Sequence, residues 1–391
     1  MDTMTGLLVD ADWAPRDNVF FDETELANKA VIRGSNGWKN LRFSIKKDLK
    51  IPQYNDTQVL IKVKACGVCG SDISLFESDL EGYISYSSQC SFPVIIGHEF
   101  SGEIVAKGSK VKKFQVGDYV TAENNHWCGE CIPCRYGDVN QCENMKSMGF
   151  DRGHNGAMAE FIAIDEKYCW SINQLKEKYK EKDIFDLGAL IEPVSCAYEA
   201  MVNASKGLRP GDHVVILGAG GIGLAAIQLA KTCGAAKIIV FEPELRRRDL
   251  AKELGADYVL DPYDNNYLSE DTLVELTDGQ GVGMAIEASR NPARNFPLVE
   301  KAIRAGGEFL CIGMAAQYPR IDYMRFVRRK ITFSGAFGHA GHLNFQQVIN
   351  LIVAGRINIL PCITAKFKLD DSIKAIKAAS SGKEGKVIIN P

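Results

Sequence analysis

The chain has 391 residues, 46% hydrophobic and 24% charged, close to the soluble globular average, which excludes disordered, collagen-like and coiled-coil classes. That length predicts two or three domains, or one large domain carrying an insertion. Lys and Arg total 46 against 49 Asp and Glu, a net charge of −3, so no global positive field exists to attract nucleic acid or an anionic membrane.

The opening stretch, MDTMTGLLVDADW, has neither a basic n-region nor an apolar h-region, so a soluble cytoplasmic protein is expected. Up to about residue 190 short alternating strands are predicted, as at Val59–Ala65 and Met158–Ile164, separated by Gly/Pro/Asp turns. Lys176–Asp183 is the one charge-dense stretch and reads as a solvated loop or helix face. From about residue 193 short apolar runs alternate with helix-length segments: Val214–Leu217, Ile238–Phe241, Tyr258–Leu260, Met284–Ile286, Phe309–Ile312 and Ile331–Ser334. This is the rhythm of a parallel sheet covered on both faces. The longest apolar run, Val214–Ala230, carries four glycines and Gln228, and reads as strand, turn and helix instead of a membrane span. After about residue 338, helices around Phe345–Ala354 and Asp370–Ala379 and a strand at Lys386–Ile389 are assigned back to the first domain. The expected division is a β-rich domain of residues 1–192 with 339–391, interrupted by a doubly wound domain of residues 193–338.

Gly218, Gly220 and Gly223 form G-x-G-x-x-G directly after an apolar strand and at the start of a helical segment. This pattern gives a tight turn, close backbone approach to a pyrophosphate, and close helix–strand packing, with helix N–H groups facing phosphate. Glu242 ends the next strand 19 residues after Gly223, where an acid binds the ribose 2′-OH of NAD and repels the 2′-phosphate of NADP. Arg246, Arg247 and Arg248 follow, but consecutive helical residues diverge, so at most one or two can face a cofactor. The expected cofactor-binding set is Gly218, Gly220, Gly221, Ile222, Gly223, Glu242 and Arg247, with NAD favoured over NADP.

Cysteine is the telling count. Four of twelve fall between Cys128 and Cys142, where an even spread would place about 0.5. Cys128, Cys131, Cys134 and Cys142 have the spacing of a closed tetrahedral zinc site, which leaves no room for substrate and is therefore structural. A second, dispersed group comprises Cys66-Gly-Val-Cys-Gly-Ser-Asp72, Gly97-His-Glu99 and Ile191-Glu-Pro193. Singly these are weak: Cys66 and Cys69 could be a redox pair, and a lone His or Glu is usually surface or satisfied core. Together they offer Cys69, His98, and Glu99 or Glu192 to a zinc with an open position.

On these five ordered motifs the sequence resembles the zinc-dependent medium-chain dehydrogenase/reductase family, in its sorbitol and threonine dehydrogenase branch, from about Val59 to the C-terminus. The long N-terminal region, Glu81-Gly-Tyr83 and Gly338-His-Ala-Gly-His342 further resemble a subgroup acting on cyclitols, the inosose dehydrogenases. The resemblance implies a Rossmann nucleotide-binding domain, a β-rich GroES-like catalytic domain carrying both zinc sites, and a homodimer or homotetramer. Cys69 and His98 would be catalytic zinc ligands, Glu99 or Glu192 the third, and Asp72 the residue orienting His98. Zinc there would lower the pKa of a secondary alcohol, whose hydride passes to the nicotinamide, with Ser71 first in the proton relay. Relatives often continue that relay with a histidine five residues after the zinc cysteine; here Ser74 stands there, so release is expected through ribose hydroxyls and water, or His339 or His342. Cys66 is expected to be a small packing residue, and His126 and His213 surface or capping residues. His154, Trp127 and Tyr83 are candidates for the pocket wall.

The expected activity is hydride transfer between NAD and a polyol or cyclitol. A threonine or simple secondary alcohol dehydrogenase is the alternative within enzymes. A non-catalytic zinc- and nucleotide-binding redox sensor is the alternative outside them, disfavoured because Cys69, His98, Glu99, Glu192 and Ser71 are all present.

Overall fold

The computed structural model describes residues 2–30, 33–264, 270–314, 319–339, 341 and 343–391. The chain divides into two compact units, Met1–Glu192 with Ile363–Ser381 and Lys386–Pro391, and Pro193–Cys362 with Gly382–Gly385. The first boundary falls inside the helix Glu181–Tyr198, at Pro193.

In the first unit a mixed sheet runs in the order Cys169–Ser171, Tyr119–Ala122, Glu99–Lys107, Gln58–Gly67, Lys386–Asn390 and Ile363–Lys368, with Phe161–Asp165 also paired to Gln58–Gly67. Val59, Ile61 and Val63 alternate inward along the central strand and join Phe100, Ile104, Val120 and Ile389 in one core. The extra N-terminal length forms its own antiparallel pair, Thr3–Trp13 with Trp38–Lys50, flanked by Val94–Ile95. Trp38 pins it down: the ring packs edge-on against Trp13 and Phe92, and its indole N–H donates to the Cys90 carbonyl at 3.1 Å. Burying a ring of that size contributes about 1.5–3 kcal/mol.

The second unit holds a six-stranded parallel sheet, ordered Tyr258–Leu260, Lys237–Phe241, His213–Leu217, Val282–Glu287, Ile303–Cys311 and Thr332–Gly335. Every residue of His213–Leu217 and Val282–Glu287 is buried, as expected when helices cover both faces. Strand order reverses between these two strands, so a ligand crevice is expected beyond their carboxyl ends.

Two expectations are corrected. Residues 339–362 belong to the second unit, and the chain returns to the first only at Ile363. Helix Asn344–Val353 buries Phe345, Val348, Ile349 and Ile352, while Asn344 donates to the buried Glu199 carboxylate at 2.8 Å. Gln228 and Asn358 exchange a further pair of hydrogen bonds. Periodicity reveals an apolar helix face but not which unit buries it. His213 is likewise no surface residue: it opens a strand buried on both sides and is 5% exposed.

Candidate metal centres and nucleotide site

Cys69 caps helix Gly70–Phe76, and Asp72 in its first turn accepts the Cys69 backbone N–H at 2.9 Å. His98 and Glu99 arrive on the neighbouring strand, because Glu99–Lys107 pairs antiparallel with Gln58–Gly67 and sets Glu99 opposite Gly67. A Cβ at Gly67 would lie 2.3 Å from the Glu99 carboxylate, so the glycine after Cys66 makes room for the acid. One ligand atom each from Cys69, His98 and Glu99 lie within 4.8 Å of one another. A thiolate, an imidazole and a carboxylate at that spacing fit a zinc ion with an open fourth position.

The surroundings hold these donors in place. His98 and Glu99 are 3% and 1% exposed, so neither can turn toward bulk water. His98 Nδ1 lies 3.8 Å from Asp72 Oδ1, and its ring packs on Phe150. The buried Lys386 ammonium forms an ion pair with Glu99 and donates to the Val68 carbonyl at 3.0 Å. Glu192, 4% exposed, bears electrostatically on both His98 and Lys386 but lies outside the three-atom cluster. Ser71 Oγ sits 3.8 Å from Cys69 Sγ, and Ser74 turns back to the Gly70 carbonyl at 3.1 Å. His342 lies outside the described residues, and His339 is buried in the second unit.

Burial opposes a charge on His98, but Cys69, followed by Asp72 and Glu192, outweighs it and raises the imidazole to about 10. A metal needs the neutral ring and must expel that proton. Zinc affinity at this centre should therefore rise with pH across the neutral range, by about tenfold per unit for each proton displaced. Competition against a chromogenic chelator measures this; a pH-independent affinity would contradict it.

Cys128, Cys131, Cys134 and Cys142 bring four sulfurs within 4.8 Å of one another. Backbone N–H groups of Glu130 and Cys131 point at Cys128 Sγ from 3.5 and 3.4 Å, and they lower that thiol to about 6. Four converging thiols with amide donors suit a closed zinc site. None of the twelve cysteines is joined in a disulfide.

A buried acid fastens the lobe. Glu123 accepts the indole N–H groups of Trp127 and Trp170, each at 2.9 Å, and burial raises its carboxyl to about 7 despite those bonds. Because the folded pKa exceeds the unfolded value of 4.5, this group's stabilisation is full below pH 4.5 and is lost as pH rises through 7. The loss amounts to about 3 kcal/mol. Urea unfolding at pH 5 and pH 8 should show it in the wild type and not in Glu123→Gln.

In the second unit Gly218 adopts φ +95° and Gly220 caps helix Gly221–Thr232. Half-buried Gly221 and Ile222 form the first turn, and Gly223 is buried against the preceding strand. The Glu242 carboxylate, 3% exposed, accepts the Ala219 and Glu244 N–H groups at 2.7 and 2.9 Å, which sets the acid at the glycine turn. The arginines do diverge: Arg246 pairs with Glu384, Arg248 with Asp261, and Arg247 Nε donates to the Glu384 carbonyl at 2.8 Å.

Two residues escaped the sequence reading. Lys386 lies 287 positions from Glu99, beyond any local pattern. Glu123 has no local signal beyond the aromatic residues Trp127 and Trp170 that donate to it. His126 is corrected: its ring stacks on Tyr168 at 4.4 Å and it is half-buried. Cys66 is a fully buried packing residue, and Tyr83 is covered by Arg16 at 3.8 Å. No helix among the described residues is long and apolar enough to cross a membrane.

Residues 55–174 match the alcohol dehydrogenase GroES-like domain family, and residues 221–354 match the zinc-binding dehydrogenase family. A scyllo-inosose 3-dehydrogenase from Thermotoga maritima is 37% identical, covering 97% of this chain and 98% of its own. An L-threonine 3-dehydrogenase from Pyrococcus horikoshii is 32% identical over 87% of this chain and 93% of its own. A solved Thermotoga maritima structure, provisionally described as an alcohol dehydrogenase, superimposes with a TM-score of 0.92 at 35% identity, covering 99% of this chain and 100% of that one. Two domain matches and relatives aligned over nearly the whole chain place the protein in the zinc-binding alcohol dehydrogenase family, as an oxidoreductase of alcohols.

Proposed function

We propose that the protein transfers hydride between NAD and a secondary alcohol of a cyclitol or related polyol, using one zinc ion for catalysis and holding a second for structure. The observation that carries this is the convergence of Cys69, His98 and Glu99 within 4.8 Å, in a chain 37% identical to a scyllo-inosose 3-dehydrogenase. When bound, zinc would act there as a Lewis acid that makes an alcohol hydroxyl easier to deprotonate. NAD would supply the hydride acceptor.

The chain's own residues do the rest. Asp72 orients His98, Lys386 restrains Glu99, and Glu192 offers a second carboxylate at the same centre. Ser71 receives the alcohol proton first. With Ser74 bonded to its own helix, the proton then leaves through water or the ribose hydroxyls, not through a side chain at position 74. The glycine turn takes the pyrophosphate, and Glu242 takes the ribose diol and disfavours a 2′-phosphate. Cysteines without disulfides suit a cytoplasmic setting, and the edge strand Thr332–Gly335 suits pairing with a second copy in a homodimer or homotetramer.

The test is zinc analysis with a steady-state screen of inositols, inososes, sorbitol and threonine against NAD and NADP. Two zinc per chain and a cyclitol preferred with NAD are expected. The 32% identity to an L-threonine 3-dehydrogenase keeps threonine as the second reading, and threonine as the preferred substrate would replace the first.

A further inference from the structure

The first unit contains a cavity of about 480 Å³ whose wall includes none of Cys69, His98 and Glu99. Small-molecule sites occupy about 300–1,000 Å³, so the space suits an organic ligand better than a lone ion. Its wall includes Gln58, His126, Lys146, His154, Asn155 and Asp165, and it borders the cysteine lobe at Cys128. His126 lies flat on Tyr168 and edge-on to His154, with ring centres 5.7 Å apart. Its Nε2 is buried with no hydrogen-bond partner. A buried polar atom left in that condition costs free energy that a bound ligand would recover.

Hydrogen bonding in the wall identifies the ligand chemistry. Asn155 Oδ1 already accepts the Ile95 N–H at 3.0 Å, and Gln58 Oε1 the Asn55 N–H at 3.1 Å. Each amide therefore has its NH₂ group left to offer. Both Asp165 oxygens also accept bonds, from Thr57 Oγ1 at 2.6 Å and from the Lys167 N–H at 3.1 Å. The acceptors of Asn155, Gln58 and Asp165 are thus engaged, while the Lys146 ammonium, the Asn155 and Gln58 NH₂ groups and the His126 ring nitrogen can donate. Two cations, Lys146 and Lys167, line the wall beside Asp165 and the Cys128 sulfur.

We propose that this cavity is a second ligand site, separate from the alcohol-oxidising centre, which binds one small oxyanion, a phosphate ester or a polycarboxylate. Lys146 and the Asn155 and Gln58 amides contact the anionic oxygens, and His126, backed by Tyr168, and His154 flank the body of the ligand. Donor-rich walls of this kind discriminate against neutral polyols, which demand acceptors as well as donors.

Calorimetric titration of the full-length, zinc-loaded protein tests this with inorganic phosphate, a cyclitol monophosphate, citrate and neutral myo-inositol. Saturable binding of one anion per chain is expected, weakened at least about fivefold in Lys146→Ala and in His154→Gln. The control Lys182→Ala, an exposed cation elsewhere, should bind as the wild type does. Zinc content and basal dehydrogenase activity should remain unchanged in Lys146→Ala and Lys182→Ala, which separates this result from the fate of the proposed activity. Binding of phosphates alone or of citrate alone identifies the source of the oxyanion. Absence of saturable anion binding below about 10 mM, equal affinity in both cavity variants and wild type, or a preference for myo-inositol overturns the proposal.

Discussion

Cys69→Ser should lower kcat/KM by about a thousandfold or more and reduce bound zinc from two ions per chain to one. A Lewis-acid metal supplies several kcal/mol of transition-state stabilisation, and about 4 kcal/mol corresponds to that factor. The loss is large because Cys69 contributes the only sulfur of the three-atom cluster, and serine is a poor ligand at neutral pH. Folding should survive, since Cys69 is half-buried and its helix is capped through the Asp72 carboxylate and the Cys69 backbone. Metal analysis with steady-state kinetics decides the matter. Retention of both zinc ions with full activity would remove Cys69 from the centre.

The second large effect separates two glycines of one turn. A Cβ at Gly223 would lie 1.9 Å from the Gly218 carbonyl oxygen, whereas one at Gly220 would meet nothing within 4 Å. Gly223→Ala must therefore push the turn off the strand, and overpacking of this kind costs about 1–3 kcal/mol or more. Gly220 has φ −74°, a conformation alanine adopts freely, so Gly220→Ala should unfold at the wild-type temperature. Its methyl group instead occupies the space through which a pyrophosphate approaches the backbone, and the KM for NAD should rise at least about tenfold. Thermal unfolding and NAD titration of the two variants distinguish packing from cofactor approach. Equal destabilisation of both would contradict the division of roles.

Much of this was legible in the sequence because it is local. Four cysteines within fifteen residues are drawn together by short turns whatever the rest of the chain does, and the glycine turn needs only the strand before it and the helix after it. The rhythm of short apolar runs located the six parallel strands to within a few residues, since strands buried on both faces have no polar alternation to confuse them. The failures are all of long range. The partner of Glu99 sits on the last strand, and the burial of helix Asn344–Val353 follows from tertiary packing. His126 is half-buried and Glu123 buried because rings from distant segments close over them, which a single segment does not record.

The place of Lys386 has a consequence for the order of events during synthesis. Cys69, His98 and Glu99 leave the ribosome early, but the ammonium that neutralises Glu99 belongs to the strand Lys386–Asn390, near the end of the chain. Between them the whole parallel-sheet unit is translated, and it can fold while the first unit still lacks its closing strands. Until that strand emerges, a nascent chain holds Glu99 without its counter-charge. A folded chain that lacks Lys386 would bury an unpaired acid, a defect exposed to the cell's quality control.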